Sequence, residues 1–328
     1  MTGEDMDMIR WGILGCGKVT EIKSGPALQR ADGSELVAVM RRNGEFAADY
    51  ARRHGVARWY DNAEALIHDP EVDAVYIATP PSSHKEYALA VAAAGKPVYV
   101  EKPMALNFAE CQEMIAVCEK NSVPLFVAYY RRALPRFAKV KSLLDNGAIG
   151  DVRFVHVTFY RRPADRDLNG EENWRVDPRI AGGGYFYDLA SHSIDLLQYL
   201  LGDAKAAAGY ASNQSRMYEA EDIVSGVFVT ENDVHVTCVW DFNAYDELDR
   251  TEIVGSAGKL TFSTFANNPV VLENQDGAQS FMIENPPHIQ QPLIQTIVDE
   301  LRGRGRCPST GRTAAQTNRV MEQICAGR

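Results

Sequence analysis

No apolar stretch in this chain of 328 residues approaches the roughly 20 that a helix needs to cross a bilayer, so a helical membrane protein is not expected. Nor is a secretory leader: MTGEDMDM is polar and acidic, where a leader has a basic end and an apolar centre. Positive charge is in deficit, with 34 Lys and Arg against 44 Asp and Glu and a net charge of −10. That balance argues against a nucleic-acid partner, because binding a phosphate backbone takes an excess of cations. The dense basic run Arg302-Gly303-Arg304-Gly305-Arg306 is short and glycine-broken, and reads as a solvated loop between two helices. The six cysteines contain no C-x-x-C pair and no disulfide framework; Cys111 and Cys118, seven apart in a helical pattern, have core spacing. Reduced thiols in a cytoplasmic protein are the expectation. His54, His68, His156, His235 and His288 lack ligand spacing, so no metal is expected.

What is present is an alternation. Short apolar runs at 9–14, 36–40, 74–78, 98–100 and 125–127 are separated by helical patterns at 19–30, 45–54, 63–68, 84–94 and 108–121. The runs are continuous, as in parallel strands covered on both faces, and the alternation predicts a doubly wound α/β sheet. Asn107, with Glu110 three residues on, marks a capped helix start. Beyond residue 150, β-rich segments at 151–160, 223–230, 234–240, 250–254 and 259–262 follow one another across turns at Glu231-Asn232-Asp233 and Ser256-Ala257-Gly258. They predict a largely antiparallel sheet. A helix over 187–201 interrupts it, and a helical tail runs from Pro292. Two domains are expected: an α/β domain over 1–127 and an α+β domain over 128–328, whose terminal helices can pack back on the first.

Gly15-Cys16-Gly17-Lys18-Val19 lies at the first strand-to-helix turn, where glycines let the backbone approach a pyrophosphate held at the helix N-terminus. The third glycine of such loops is absent, and Thr20 stands in its place. At the end of the second strand a carboxylate would bind the ribose hydroxyls of NAD and repel the 2′-phosphate of NADP. Here Met40 is followed by Arg41 and Arg42, with no acid until Glu45. Paired guanidiniums can take a phosphate bidentately, so NADP is expected, with NAD as the alternative.

Downstream come Ala78-Thr79-Pro80-Pro81-Ser82-Ser83-His84, Gly95-Lys96-Pro97-Val98-Tyr99-Val100-Glu101-Lys102-Pro103, and Gly182-Gly183-Gly184 ahead of Asp188-Leu189-Ala190-Ser191-His192. In this order the motifs resemble the glucose–fructose oxidoreductase / inositol dehydrogenase / MocA family, and the resemblance spans nearly the whole chain. It implies a Rossmann domain for dinucleotide binding. A second α+β domain, with an open, mostly antiparallel sheet, would bind substrate and form a homodimer or tetramer. The implied chemistry is hydride transfer between a nicotinamide and a small polyhydroxy substrate, commonly a sugar. Many relatives carry an acid where this chain has Arg41, a departure that bears on the cofactor rather than on the chemistry.

Lys102 falls just past the carboxyl end of a sheet strand, where an ammonium can hydrogen-bond a reacting oxygen and stabilise developing alkoxide. The family places the equivalent lysine in that role, with Pro103 setting the turn. Asp188 and His192, four apart in a helical pattern, share a face, and a histidine can exchange a proton near neutral pH. The expectation is His192 as general acid/base, Lys102 as its partner and Asp188 as substrate anchor, with both Lys102 and His192 open as the group delivering the proton. Glu101 is expected at the cofactor ribose, and Thr79, Pro80 and His84 along its nicotinamide side. Tyr130, Arg131, Trp174 and Arg175 are candidate substrate contacts. Two further readings stay open. One is a glycoside hydrolase that uses NAD for transient oxidation and elimination; the other is a non-catalytic NADP-binding sensor.

Overall fold

The structure, a computed structural model, describes residues 8–327. The described chain divides into two compact units, one of residues 8–105, 109–134 and 286–314, the other of residues 106–108, 135–285 and 315–327.

The first unit is built on six parallel strands: β1 (Ile9–Leu14), β2 (Ser34–Met40), β3 (Arg58–Tyr60), β4 (Ala74–Ile77), β5 (Val98–Val100) and β6 (Leu125–Val127). Their order is β3-β2-β1-β4-β5-β6. The apolar runs become central strands because β1, β4, β5 and β6 are buried on both faces. Between β1 and β4 the direction of winding reverses, which opens a crevice at the carboxyl ends of the strands. Every loop that carries a candidate cofactor residue leaves a strand at that end.

The helix after β1 is not regular as the sequence predicts: residues 20–24 form a wider turn before Gly25–Arg30. Pro26 accounts for this, since it has no N–H to offer Ile22 and its ring would press on the Ile22 carbonyl in an ordinary turn. The freed Ile22 oxygen faces His288 Nδ1 at 2.7 Å, and the Lys23 oxygen accepts the Gln290 N–H at 3.3 Å.

The second unit carries a mixed sheet of eight strands in the order β14-β13-β12-β11-β7-β10-β9-β8. These are β7 (Val152–Tyr160), β8 (Ala204–Ser212), β9 (Ile223–Thr230), β10 (His235–Asp241), β11 (Leu248–Gly255), β12 (Gly258–Phe262), β13 (Val270–Asn274) and β14 (Gly277–Phe281). β7 and β10 run parallel and the other neighbours antiparallel. Burial alternates along β9 and β10, so one face is packed and the other open. The helix Ser191–Leu201 belongs to the packed side, where Trp240 Nε1 donates to Ser193 Oγ at 3.3 Å. The run Arg302–Arg306 lies in a loop after the Gln291–Leu301 helix, and all six cysteines are buried and unbridged. Among the described residues no helix is long and apolar enough to cross a membrane.

Candidate active site

In the first unit the loop after β1 is shaped for a close approach. Gly15 has φ +90°, and a Cβ there would meet Thr79 Cγ2 at 2.7 Å and the Ala78 backbone at 3.1 Å, so only glycine fits. At Gly17 the nearest atom to an added Cβ is Gly15 O at 3.8 Å, which leaves the loop open on the side a diphosphate would occupy. The amides of Gly15 and Cys16 are held by the Met40 carbonyl at 2.9 and 3.1 Å. Those of Thr20 and Glu21 begin the helix on the Gly17 carbonyl. The amides of Lys18 and Val19 precede that first helical bond and belong to the turn that offers N–H groups to an anion. Thr20, fully buried, turns its hydroxyl back onto Gly17 in place of a third glycine. These residues fit a dinucleotide pyrophosphate.

At the end of β2, Arg41 and Arg42 are both exposed. The Arg41 guanidinium lies 4.7 Å from the Phe46 ring centroid. It also lies near Cys16, whose thiol is pushed up to about 11 by burial, against the opposing pull of Arg41's charge. Asn43 caps the following helix through Glu45 and Phe46 N–H, so the residue after the arginines is occupied by the helix start.

The loops after β4 and β5 are tied from below. Thr79 and Pro80 are half-buried at the rim, with Thr79 Oγ1 accepting from Ser83 Oγ at 2.8 Å. His84 lies beneath that rim, fully buried, with Nε2 2.8 Å from Thr79 O and Nδ1 3.1 and 3.3 Å from the carbonyls of Pro103 and Met104. Glu101 is 8% exposed. Its Oε1 accepts from Tyr76 Oη at 2.5 Å and Gln290 Nε2 at 2.7 Å, and its Oε2 accepts the Lys102 N–H at 3.2 Å. Both carboxylate oxygens are therefore engaged within the unit. Lys102 itself is half-buried and precedes Pro103 across a cis bond.

Tyr130 and Arg131 are buried, with the guanidinium 5.0 Å from the phenol ring centroid. Burial would raise the Tyr130 phenol, but the charges of Arg131, Lys23 and Lys102 outweigh it and hold the group below its ordinary range. The structure thus brings Tyr130, Arg131 and Lys102 into one cationic neighbourhood.

In the second unit, Trp174, Arg175 and Asp188 come together. The Arg175 guanidinium lies 4.4 Å from the Trp174 ring centroid, and its Nε is 3.3 Å from Asp188 Oδ2. Asp188 sits in a widened turn over Phe186–Ala190, whereas His192 is in the regular helix that follows. His192 is buried and meets Phe265 edge to face at 6.0 Å. The glycine run ahead of them is required by close packing. A Cβ on Gly183 would strike the Tyr187 ring at 2.2 Å and Glu221 Oε1 at 2.7 Å, and Glu221 also accepts the Gly184 N–H at 3.0 Å. Among the described residues no group of three or more His, Cys, Asp or Glu is arranged for a metal ion.

Sequence reasoning missed Tyr76, Tyr99, Gln290, Glu221 and Phe265. The tyrosines had a signal: a hydroxyl inside a doubly covered strand must find a partner. Gln290 and Phe265 had none, since their partners are far away in sequence.

A family model described as "Oxidoreductase family, NAD-binding Rossmann fold" matches residues 9–129, and one described as "GFO/IDH/MocA C-terminal domain" matches residues 137–261. Oxidoreductase P35 of Formosa agariphila is 41% identical over 318 residues, covering 97% of this chain and 98% of the relative. The 1,5-anhydro-D-fructose reductase of Ensifer adhaerens is 28% identical, covering 93% of this chain and 91% of the relative. Among solved structures, levoglucosan dehydrogenase in complex with NADH and levoglucosan superposes with a TM-score of 0.87 at 22% identity, covering 97% of this chain and 96% of its own; at that identity the likeness concerns the fold.

Proposed function

The chain belongs to the glucose–fructose oxidoreductase / inositol dehydrogenase / MocA family of oxidoreductases, and we propose that within it this protein is an NADP-dependent dehydrogenase or reductase. Its substrate in this reading is a sugar, cyclitol or related polyhydroxy ketone or alcohol, with anhydro-sugars foremost among those to test. The name of one relative, a 1,5-anhydro-D-fructose reductase, supports that choice.

The observation that carries the cofactor reading is the end of β2. Exposed Arg41 and Arg42 stand beside the Gly15–Gly17 loop, and the chain carries no acid between Met40 and Glu45. The Arg41 guanidinium lies over the Phe46 ring, and a guanidinium can take a 2′-phosphate bidentately.

NADP, when bound, supplies or accepts the hydride. Gly15, Gly17, Lys18 and Val19 receive its pyrophosphate at the helix start, and Thr79 and Pro80 line the rim of the crevice. Lys102 hydrogen-bonds the reacting oxygen and stabilises its negative charge. His192, in the second unit, is the proposed general acid/base, and Asp188, with Arg175 and Trp174, anchors substrate hydroxyls. Tyr130 and Arg131 complete the substrate-binding set. The exposed apolar side chains on the open face of the second sheet, among them Tyr210, Val227 and Val239, suit a homo-oligomer contact in a cytoplasmic protein.

The test is consumption of NADPH and NADH against a panel of keto-sugars and anhydro-sugars, with Lys102→Ala and His192→Ala as controls. Robust turnover with NADH and none with NADPH would refute the cofactor reading. Full activity in either variant would refute the residue assignment.

A further inference from the structure

Beneath the crevice of the first unit, a small buried polar network joins three parts of the chain that are distant in sequence. Tyr76 on β4 and Tyr99 on β5 are fully enclosed, their rings stacked with centroids 4.6 Å apart. Tyr99 Oη donates to Gln290 Oε1 at 2.8 Å. That bond fixes which way the Gln290 amide points, so its Nε2 donates to Glu101 Oε1 at 2.7 Å. Tyr76 Oη adds a second donor to the same oxygen, and the Lys102 N–H takes the other. Burial, with Glu101's charge behind it, raises both phenols far above their ordinary range, so both stay protonated and donating. Glu101 thus accepts from three donors, the Tyr76 hydroxyl, the Gln290 amide and the Lys102 N–H.

Gln290 is held from its other side as well. Its own N–H reaches the Lys23 carbonyl, and His288 reaches the Ile22 carbonyl, in the wide turn that Pro26 creates in the phosphate-binding helix. The network therefore runs from the helix that receives the pyrophosphate, through Gln290 and Glu101, to the backbone of Lys102.

We propose that Glu101, Tyr76 and Gln290 are positioning residues that hold Lys102 in register with the bound dinucleotide. The inference rests on the reading of Lys102 as the group at the reacting oxygen. A lysine on a free turn could wander by an ångström, and hydride transfer tolerates little of that. The wide turn and the segment after residue 286 thereby acquire a part in the chemistry although neither needs to touch substrate.

The experiment compares Tyr76→Phe, Gln290→Met and the double variant Tyr99→Phe/Gln290→Met as full-length holoenzymes. Tyr76→Phe removes one donor with shape kept, so it serves if Gln290→Met folds poorly. Expected is a fall in kcat of about tenfold or more in each, with cofactor Kd and substrate KM little changed. The double variant removes the Tyr99 hydroxyl that Gln290→Met would leave without an acceptor, so its stability recovers while its rate stays low. A rate that recovers along with stability would overturn the proposal, because the network would then be structural only.

Trace acylation of Lys102, read by mass spectrometry across pH, gives a measure that needs no turnover. A changed Lys102 reactivity in the variants supports the positioning role, and unchanged reactivity overturns it. Absence of turnover by the unaltered protein with either cofactor would sink the proposed function, while the acylation profile would still decide the role of the network.

Discussion

Thr20 and Gly17 bind each other through one hydroxyl: Thr20 Oγ1 donates to the Gly17 carbonyl at 2.8 Å and accepts the Gly17 N–H at 3.0 Å. A third glycine in such loops lets helix and strand pack closely; here a threonine ties the loop shut from inside, and Tyr50 Oη completes the site on the Thr20 carbonyl at 2.8 Å. Thr20→Val keeps the volume and strips the buried loop of this partner, at a cost of about 1–3 kcal/mol. Urea unfolding should register that loss, and cofactor titration should register weaker binding. Thr20→Ser, which keeps the hydroxyl, should lose much less by both measures.

Arg41 makes the cofactor reading quantitative. If its guanidinium pairs with a 2′-phosphate, Arg41→Ala removes a charge-assisted hydrogen bond. NADPH affinity should then fall about tenfold to a hundredfold, while NADH affinity hardly changes. Arg41→Asp should go further and favour NADH by giving its ribose diol an acceptor. Fluorescence titration with both cofactors checks this, and an equal loss for NADPH and NADH in Arg41→Ala would contradict it.

Much of the first unit was legible because each central strand is a continuous apolar run covered on both faces, and five of its six strands read directly from that pattern. β3 did not, since Arg58-Trp59-Tyr60 is half-exposed at a sheet edge and offers no run. In the second unit β8 was hidden by composition: Ala204–Ser212 is alanine-rich and extended only because it pairs with β9. β14 is almost wholly exposed and carries no apolar alternation. The motif loops around Gly15, Arg41, Thr79 and Lys102 were visible because local chemistry dictates them. What holds them was not visible, because the Glu101–Gln290 contact spans 189 residues and depends on tertiary packing.

His84 faces backbone carbonyls on both sides of its ring, and burial lowers its pKa from the ordinary 6.5 despite the opposing pull of those carbonyls and of Glu101. Because the folded value lies below the unfolded one, this stabilisation is complete above about pH 6.5 and is lost as pH falls through the folded pKa. Urea unfolding of the wild-type protein and of His84→Gln should therefore diverge on the acid side. The wild type should weaken more steeply below about pH 6.5, since the glutamine has no proton to take up. Parallel curves would mean that the ring is not neutral at rest.

Asp249 organises the loop beside His192. Its carboxylate accepts the consecutive amides of Thr264, Phe265 and Ala266 at 2.9, 2.6 and 2.8 Å. From the other side buried Arg136 donates to the carbonyls of Ala266 and Asn268 at 2.6 and 2.7 Å. The loop is thus clamped through both its donors and its acceptors, and Phe265 meets both Phe159 and His192. Asp249→Ala should cost about 1.5–3 kcal/mol for a charged acceptor lost. Hydrogen exchange at residues 264–266 should quicken selectively. If Phe265 is what steadies the His192 ring, Asp249→Ala should also depress kcat while leaving cofactor binding intact, because the dinucleotide loop belongs to the other unit. Phe265→Leu, which keeps the clamp and removes the ring, should reproduce the kinetic loss without the change in exchange. Agreement of the two variants in rate, with disagreement in exchange, separates the steadying of His192 from the stability of the loop.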